Sequence, residues 1–299
     1  MQQRHLLWAA VFPLIAGAAF ALPQEEKPKP KNPAPPQGEP AVKVDKKEVK
    51  KGLPFCHKAS EVIGAEVKNP KGEKLGKVEE LVLDPASGSI EYAVISFGGF
   101  LGMGDKLFAV PFSLLKAPEV SDNSKMAYFT YDVDKAKMEK APGFDKNNWP
   151  DVHEADWRNT VDQYYGSPSK AIDKNKEWRL TKASEVMGMN VTNPNNDDVG
   201  KIKELVLDPR RSRVSYFVMQ SGGFLGMGDK SFAIPWTALT IDSKEKKDKL
   251  ILNVTKERLE KAPEFVAKDW DRMSDPVWLG DVYKYYGVRP YWETEAPGG

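Results

Sequence analysis

Gly98-Gly99-Phe100-Leu101-Gly102-Met103-Gly104-Asp105-Lys106 recurs unchanged as Gly222-Gly223-Phe224-Leu225-Gly226-Met227-Gly228-Asp229-Lys230, 124 residues later. The likeness extends well beyond the string. Aligned without a gap, residues 59–115 and 183–239 are identical at 31 of 57 positions. Ala59-Ser60-Glu61-Val62 matches Ala183-Ser184-Glu185-Val186, and Leu81-Val82-Leu83-Asp84-Pro85 matches Leu205-Val206-Leu207-Asp208-Pro209. After a three-residue slip, Trp149, Trp157 and Tyr165-Gly166 answer to Trp270, Trp278 and Tyr286-Gly287 at an offset of 121. A chain that repeats itself at domain length is a tandem of two units, so its function is to be sought in one unit and in the pairing. The expected division is residues 55–178 for the first unit and 179–299 for the second.

Residues 1–21 read as an export signal. Arg4 and His5 precede the apolar run Leu6–Phe20, and Ala19-Phe20-Ala21 is a small-x-small cleavage site. The run is shorter than the roughly 20 residues that a helix needs to span a bilayer. The expectation is therefore a chain exported to the periplasm or cell envelope and cleaved near Ala21, with no integral membrane segment afterwards. Residues 22–54 hold eight prolines and eight lysines and few large apolar side chains, which predicts a disordered, extended linker.

Whole-chain charge is nearly balanced, with 44 Lys and Arg against 43 Asp and Glu. That balance argues against nucleic acid as a partner, since such a partner selects a basic surplus. Cys56 is the single cysteine, so no disulfide forms within the chain. A free thiol of this kind commonly packs as a small hydrophobe.

The first part of each repeat reads as strands. Val78–Leu83, Ile90–Phe97, Phe108–Val110 and Met126–Val133 are β-branched and aromatic runs of strand length. Asn69-Pro70-Lys71-Gly72 and Asp84-Pro85-Ala86-Ser87-Gly88 carry the residues that turns require. Short strands so punctuated predict a small barrel or sandwich. Ile90–Phe97 turns apolar on both faces, which fits a barrel wall covered from outside. The cover is expected to be helical. Asp134 and Thr255 are N-cap residues ahead of 135–140 and 256–261. Trp157, Val161 and Tyr164, like Trp278, Val282 and Tyr285, fall on one helical face, closed by Gly166 and Gly287.

The Leu-Val-Leu-Asp-Pro turn and the glycine string leading to Pro111 or Pro235 resemble the PRC-barrel family, whose barrel is that of the photosynthetic reaction-centre H subunit. The resemblance covers roughly residues 59–133 and 183–254, and it is closest to the exported bacterial tandem branch. It implies a mainly β fold with α: two tandem small antiparallel β-barrels of five or six strands, each followed by short aromatic-rich helices. It also implies docking or regulation rather than chemistry, with no cofactor.

Among candidate sites, the glycine string is foremost. It imitates a P-loop, but Asp105 and Asp229 stand where the phosphate-binding lysine must follow the glycine, and strand residues follow where a helix is needed. Two readings remain for it, a loop held by its glycines and a partner-docking loop. The glycines explain a backbone path. They do not explain why Phe100, Leu101, Met103, Asp105 and Lys106 return as Phe224, Leu225, Met227, Asp229 and Lys230. The expected partner is an envelope protein or a second copy of the chain. Trp157, Tyr164, Trp278 and Tyr285 present a second candidate, an aromatic groove for a glycan or small molecule, against the alternative that they fill the core. No catalytic constellation is found. His57 and His153 lie far apart, and no nucleophile elbow or zinc-binding helix motif occurs, so no catalytic, cofactor or metal residue is assigned.

Overall fold

Lys74–Asp84 and Asp198–Asp208 are the longest strands, and each turns back on an antiparallel partner through the Asp-Pro turn. The structure, a computed structural model, describes residues 52–97, 106–118, 126–152, 154–167, 180–221, 230–242 and 249–294. The first repeat runs β1 (His57–Lys58), α1 (Ala59–Val62), β2 (Glu66–Lys68), β3 (Lys74–Asp84), β4 (Ser89–Phe97), β5 (Lys106–Pro111), β6 (Leu115–Lys116), β7 (Tyr128–Tyr131), α2 (Lys135–Glu139), β8 (Gly143–Asp145) and α3 (Ala155–Tyr165). The second runs β9 (Thr181–Lys182), α4 (Ala183–Val186), β10 (Asn190–Thr192), β11 (Asp198–Asp208), β12 (Arg213–Gln220), β13 (Ser231–Pro235), β14 (Leu239–Asp242), β15 (Lys249–Leu252), α5 (Lys256–Glu260) and α6 (Pro276–Tyr286).

Strand order is β6-β7-β2-β3-β4-β5 in one repeat and β14-β15-β10-β11-β12-β13 in the other. Two expectations are corrected. The pairs β2–β7 and β10–β15 are parallel, because β6–β7 and β14–β15 are hairpins whose return strand reaches the free edge of β2 or β10. The sheet also does not close among the described residues: a single turn of 3-10 helix, Phe112–Leu114 or Trp236–Ala238, separates β5 from β6 and β13 from β14, and no pairing spans the gap.

The turns follow side-chain chemistry. Asn69 Oδ1 accepts from the amides of Lys71 and Glu73, and Asn193 does the same for Asn195 and Asp197. Asp84 and Asp208 each accept from the amide two residues on. Of the two expected N-caps, Thr255 accepts from the Arg258 amide, whereas Asp134 makes no capping bond and faces Lys71 instead. Gly166 and Gly287 end α3 and α6 in the left-handed conformation, at φ 63° and 73°.

Strands β4 and β12 are buried on both faces. Ala93 and Ile95 point into the inner core with Leu81, Leu83 and Phe108, while Tyr92 and Val94 face outward under Val152 and Val161 of the cover. The outer face of the second repeat is covered likewise by Leu279, Val282 and Tyr283 of α6.

The two repeats exchange their leading segments. Strand β1, from the start of the first repeat, pairs with β11 of the second, with His57 opposite Leu207 and Lys58 opposite Val206. Strand β9 pairs with β3 in the same register, with Thr181 opposite Leu83 and Lys182 opposite Val82. At the centre Ser89 faces Arg213, flanked by the amide of Ile90 on Ser212 and the amide of Val214 on Gly88, both at 2.7 Å. These pairings map onto one another by the same offset of 124, so the repeats meet as an isologous pair within one chain.

Two glutamates clasp the exchange. Glu204 accepts from the Ser60 amide at 3.3 Å and the Ser60 hydroxyl at 2.6 Å, and Glu80 accepts the same pair from Ser184. Glu80 is buried, and its removal orphans two donors of the other repeat. Glu80→Ala is expected to cost about 1–3 kcal/mol in urea unfolding, and the more exposed Glu204→Ala less.

The exchange also settles Cys56. It lies in the outer core of the second repeat with Val206, Tyr216 and Tyr283, while its counterpart Leu180 lies in that of the first with Val82 and Tyr92. Cysteine thus stands where the other repeat has leucine, as a packed apolar group. Burial pushes its thiol far up, with Asp208 adding to the shift. Ellman's reagent is expected to leave it unmodified in the folded chain and to titrate one thiol in guanidinium.

Candidate functional site

Of the sequence-predicted docking residues, Phe100, Leu101, Met103, Asp105, Phe224, Leu225, Met227 and Asp229 lie outside the described residues. The bases of both strings are placed. Lys106 is exposed and pairs with Phe97 at the end of the β4–β5 hairpin. The carbonyl oxygen of Lys230 accepts from the Ser221 amide at 2.8 Å, where β12 leads to β13. From the Ser89–Arg213 junction, β4 and β12 run in opposite directions, so the bases of the two strings stand at opposite ends of the paired repeats. At about 3.3 Å per strand residue, the separation is at most roughly 50 Å.

The four aromatic candidates are engaged in packing. Trp157 sits edge-on to Tyr92 at 5.5 Å, and Trp278 to Tyr216 at 5.8 Å. The Tyr164 hydroxyl donates to the Lys137 carbonyl, and that of Tyr285 to the Arg258 carbonyl, tying α3 to α2 and α6 to α5. Two further aromatics hold the exchanged strands: Lys58 lies 4.4 Å from the Trp270 ring and Lys182 4.4 Å from the Trp149 ring.

Sequence reasoning missed a cleft of about 220 Å³ at the junction of the repeats. Ser89, Glu91 and Tyr92 of β4, Asp162 and Ser167 from α3 and its end, and Arg211 of the second repeat line it. None of the four aromatic candidates does. The Tyr92 hydroxyl donates to Asp162 at 2.9 Å, and the Ser89 hydroxyl donates to Glu91. The available signal was divergence between the repeats: Glu91 and Asp162 stand where the second repeat has Ser215 and Tyr283.

Beside the cleft lies a buried ion pair. Arg211 donates to Asp208 at 2.8 Å, with side chains 1% and 0% exposed. The Tyr291 hydroxyl and the Phe55 amide also donate to Asp208, and Arg211 Nη2 donates to the Gly52 carbonyl at 2.9 Å. Burial pushes the Asp208 carboxyl up, and Arg211 opposes it most strongly.

Buried phenols dominate the remaining electrostatics. Burial raises Tyr92, Tyr165, Tyr216, Tyr283, Tyr286 and Tyr291, and raises Tyr131 to about 12. A group raised in the folded state above its unfolded value near 10 favours folding fully below that value and loses the effect as pH climbs through the folded value. The chain is expected to hold its melting temperature up to about pH 10 and to lose it steeply toward pH 12, with tyrosinate absorbance rising in the same window.

Among the described residues, no group of three or more His, Cys, Asp or Glu is placed to hold a metal ion, and no helix is long and apolar enough to cross a membrane. No curated protein matches the chain. The profile of the PRC-barrel domain matches residues 57–135 and again 181–259, which is more than half of the chain and one match for each repeat. The chain therefore belongs to the PRC-barrel family, as a tandem of two such domains.

Proposed function

We propose that this is a non-enzymatic protein of the periplasm or cell envelope whose two PRC-barrel modules act in protein binding or assembly. One observation carries the reading: two identical nine-residue strings are based at opposite ends of one paired body. A purely conformational loop needs its glycines. Repetition of Phe, Leu and Met as well points to a surface that must be the same twice, as a bivalent binder requires. An exported chain would meet its partner in the envelope, either another protein or a second copy of this chain.

The test is crosslinking and capture from the native envelope with the full chain and with Phe100→Ser, Phe224→Ser and the double variant. Each single variant is expected to retain one attachment and the double variant none. Unaltered capture by a folded double variant sinks the docking role of the loops.

A further inference from the structure

In the second repeat a ring of the chain itself packs against the residues that correspond to this cleft. There the walls come from Arg213, Ser215, Tyr283 and Val288, the counterparts of Ser89, Glu91, Asp162 and Ser167. Tyr291 lies within them, 3% exposed. Its ring is 4.6 Å from the Arg213 guanidinium and 6.2 Å from the Tyr283 ring, and its hydroxyl reaches Asp208. Trp292 follows at 5.1 Å from Tyr283. A host cation thus meets a guest aromatic ring that the chain itself provides.

In the first repeat the host chemistry is inverted. The arginine becomes Ser89, which vacates space, and Ser215 and Tyr283 become the carboxylates Glu91 and Asp162. Arg211 brings no net positive charge, because Asp208 neutralises it at 2.8 Å. Arg158, buried one turn back on α3, meets the same Tyr92 hydroxyl as Asp162 and offsets that carboxylate. Among the described residues that line the cleft, what remains is the charge of Glu91, with the hydroxyls of Ser89, Ser113, Ser167 and Ser212 around the same space.

We propose that the cleft of the first repeat binds one lysine or arginine side chain from a peptide segment of a partner protein. The volume suits a single long side chain, and the net charge calls for one cation. The hydroxyls supply acceptors for the remaining N–H donors of an ammonium or guanidinium. The second repeat shows that a chain segment enters this position and is held by side-chain contacts there. The proposal is independent of the glycine loops, and its variants leave them intact.

The test is a titration of the 15N-labelled full chain, followed by NMR, with the probe acetyl-Gly-Lys-Gly-amide and its norleucine analogue. Shifts confined to 89–92, 113 and 158–167 are expected with the lysine probe, with about ten-fold weaker binding of the norleucine analogue. Glu91→Gln is expected to weaken the lysine probe by about the same factor, and Ser89→Arg, which copies the second repeat, to abolish it. The control Glu79→Gln, on exposed strand surface, is expected to change nothing. Equal binding of the two probes, shifts elsewhere, or indifference to Glu91→Gln each overturns the proposal. Binding that appears only after Lys46, Lys47, Lys50 and Lys51 are changed to Gln would mean that the chain's own lysines hold the cleft, and overturns an outside partner.

Discussion

Asp208→Ala is expected to destabilise the chain by about 3–5 kcal/mol, because it removes one partner of a buried ion pair held at 2.8 Å. The Arg211 side chain is 1% exposed, and it also donates to the carbonyls of Gly52 and Leu53. The same substitution also frees the Tyr291 hydroxyl and the Phe55 amide, so the exchanged N-terminal segment and the C-terminal plug both lose their anchor. A loss of that size is a large part of the stability of an ordinary domain. The first repeat supplies the control. Among the described residues, Asp84 accepts from the Ala86 amide and the Ser87 hydroxyl only, so Asp84→Ala removes a turn cap and is expected to cost about 1–2 kcal/mol. Urea unfolding of the two single variants measures the contrast. Equal losses would mean that the buried pair contributes no more than a turn.

Gly76→Ala is expected to cost about 3 kcal/mol although it adds a single methyl group. A Cβ there would lie 1.9 Å from the carbonyl oxygen of Ser96, and backbone cannot turn aside as a side chain can. The glycine stands where β3 and β4 cross tightly beside the shift in their register between Val78 and Glu80. Its counterpart Gly200 would place a Cβ 2.5 Å from the Gln220 carbonyl oxygen, and its φ of 152° adds backbone strain to the overlap. Gly72→Ala and Gly188→Ala meet no atom within 4 Å, so they isolate the cost of positive φ alone. A melting temperature for Gly76→Ala at or above those of Gly72→Ala and Gly188→Ala would refute the steric argument.

Much of the fold was legible because the signals are local. The β-branched runs gave β3, β4, β5 and β7, and the Asp-Pro and Asn-Pro segments gave their turns. The helical spacing of Trp157, Val161 and Tyr164 gave α3 with its terminal glycine. The reading erred where the pattern has no local mark. A parallel neighbour of β2 depends on where β7 arrives, and the gap between β5 and β6 depends on a corner turn whose residues are ordinary. The cleft escaped for a related reason. Ser89, Glu91 and Asp162 look like surface residues in any window, and only tertiary folding brings α3 over the start of β4.

Sequence alone determined that this chain is a duplicated PRC-barrel unit, because identity at a fixed offset needs no coordinates to be seen. It also determined that Cys56 has no partner in the chain. Only the tertiary structure decided how the two units complete each other. Whether β1 pairs with its own barrel or with the other is a choice between near-identical partners, since β3 and β11 share the Glu-Leu-Val-Leu-Asp segment. Strand propensity cannot distinguish them; the clasp of Glu80 on Ser184 and of Glu204 on Ser60 exists only in the exchanged arrangement. The glycine string that reveals the duplication thus tells nothing of its consequence: the symmetric pairing sets the bases of its two copies at opposite ends of the paired repeats, and a cleft stays open where the first repeat meets the second.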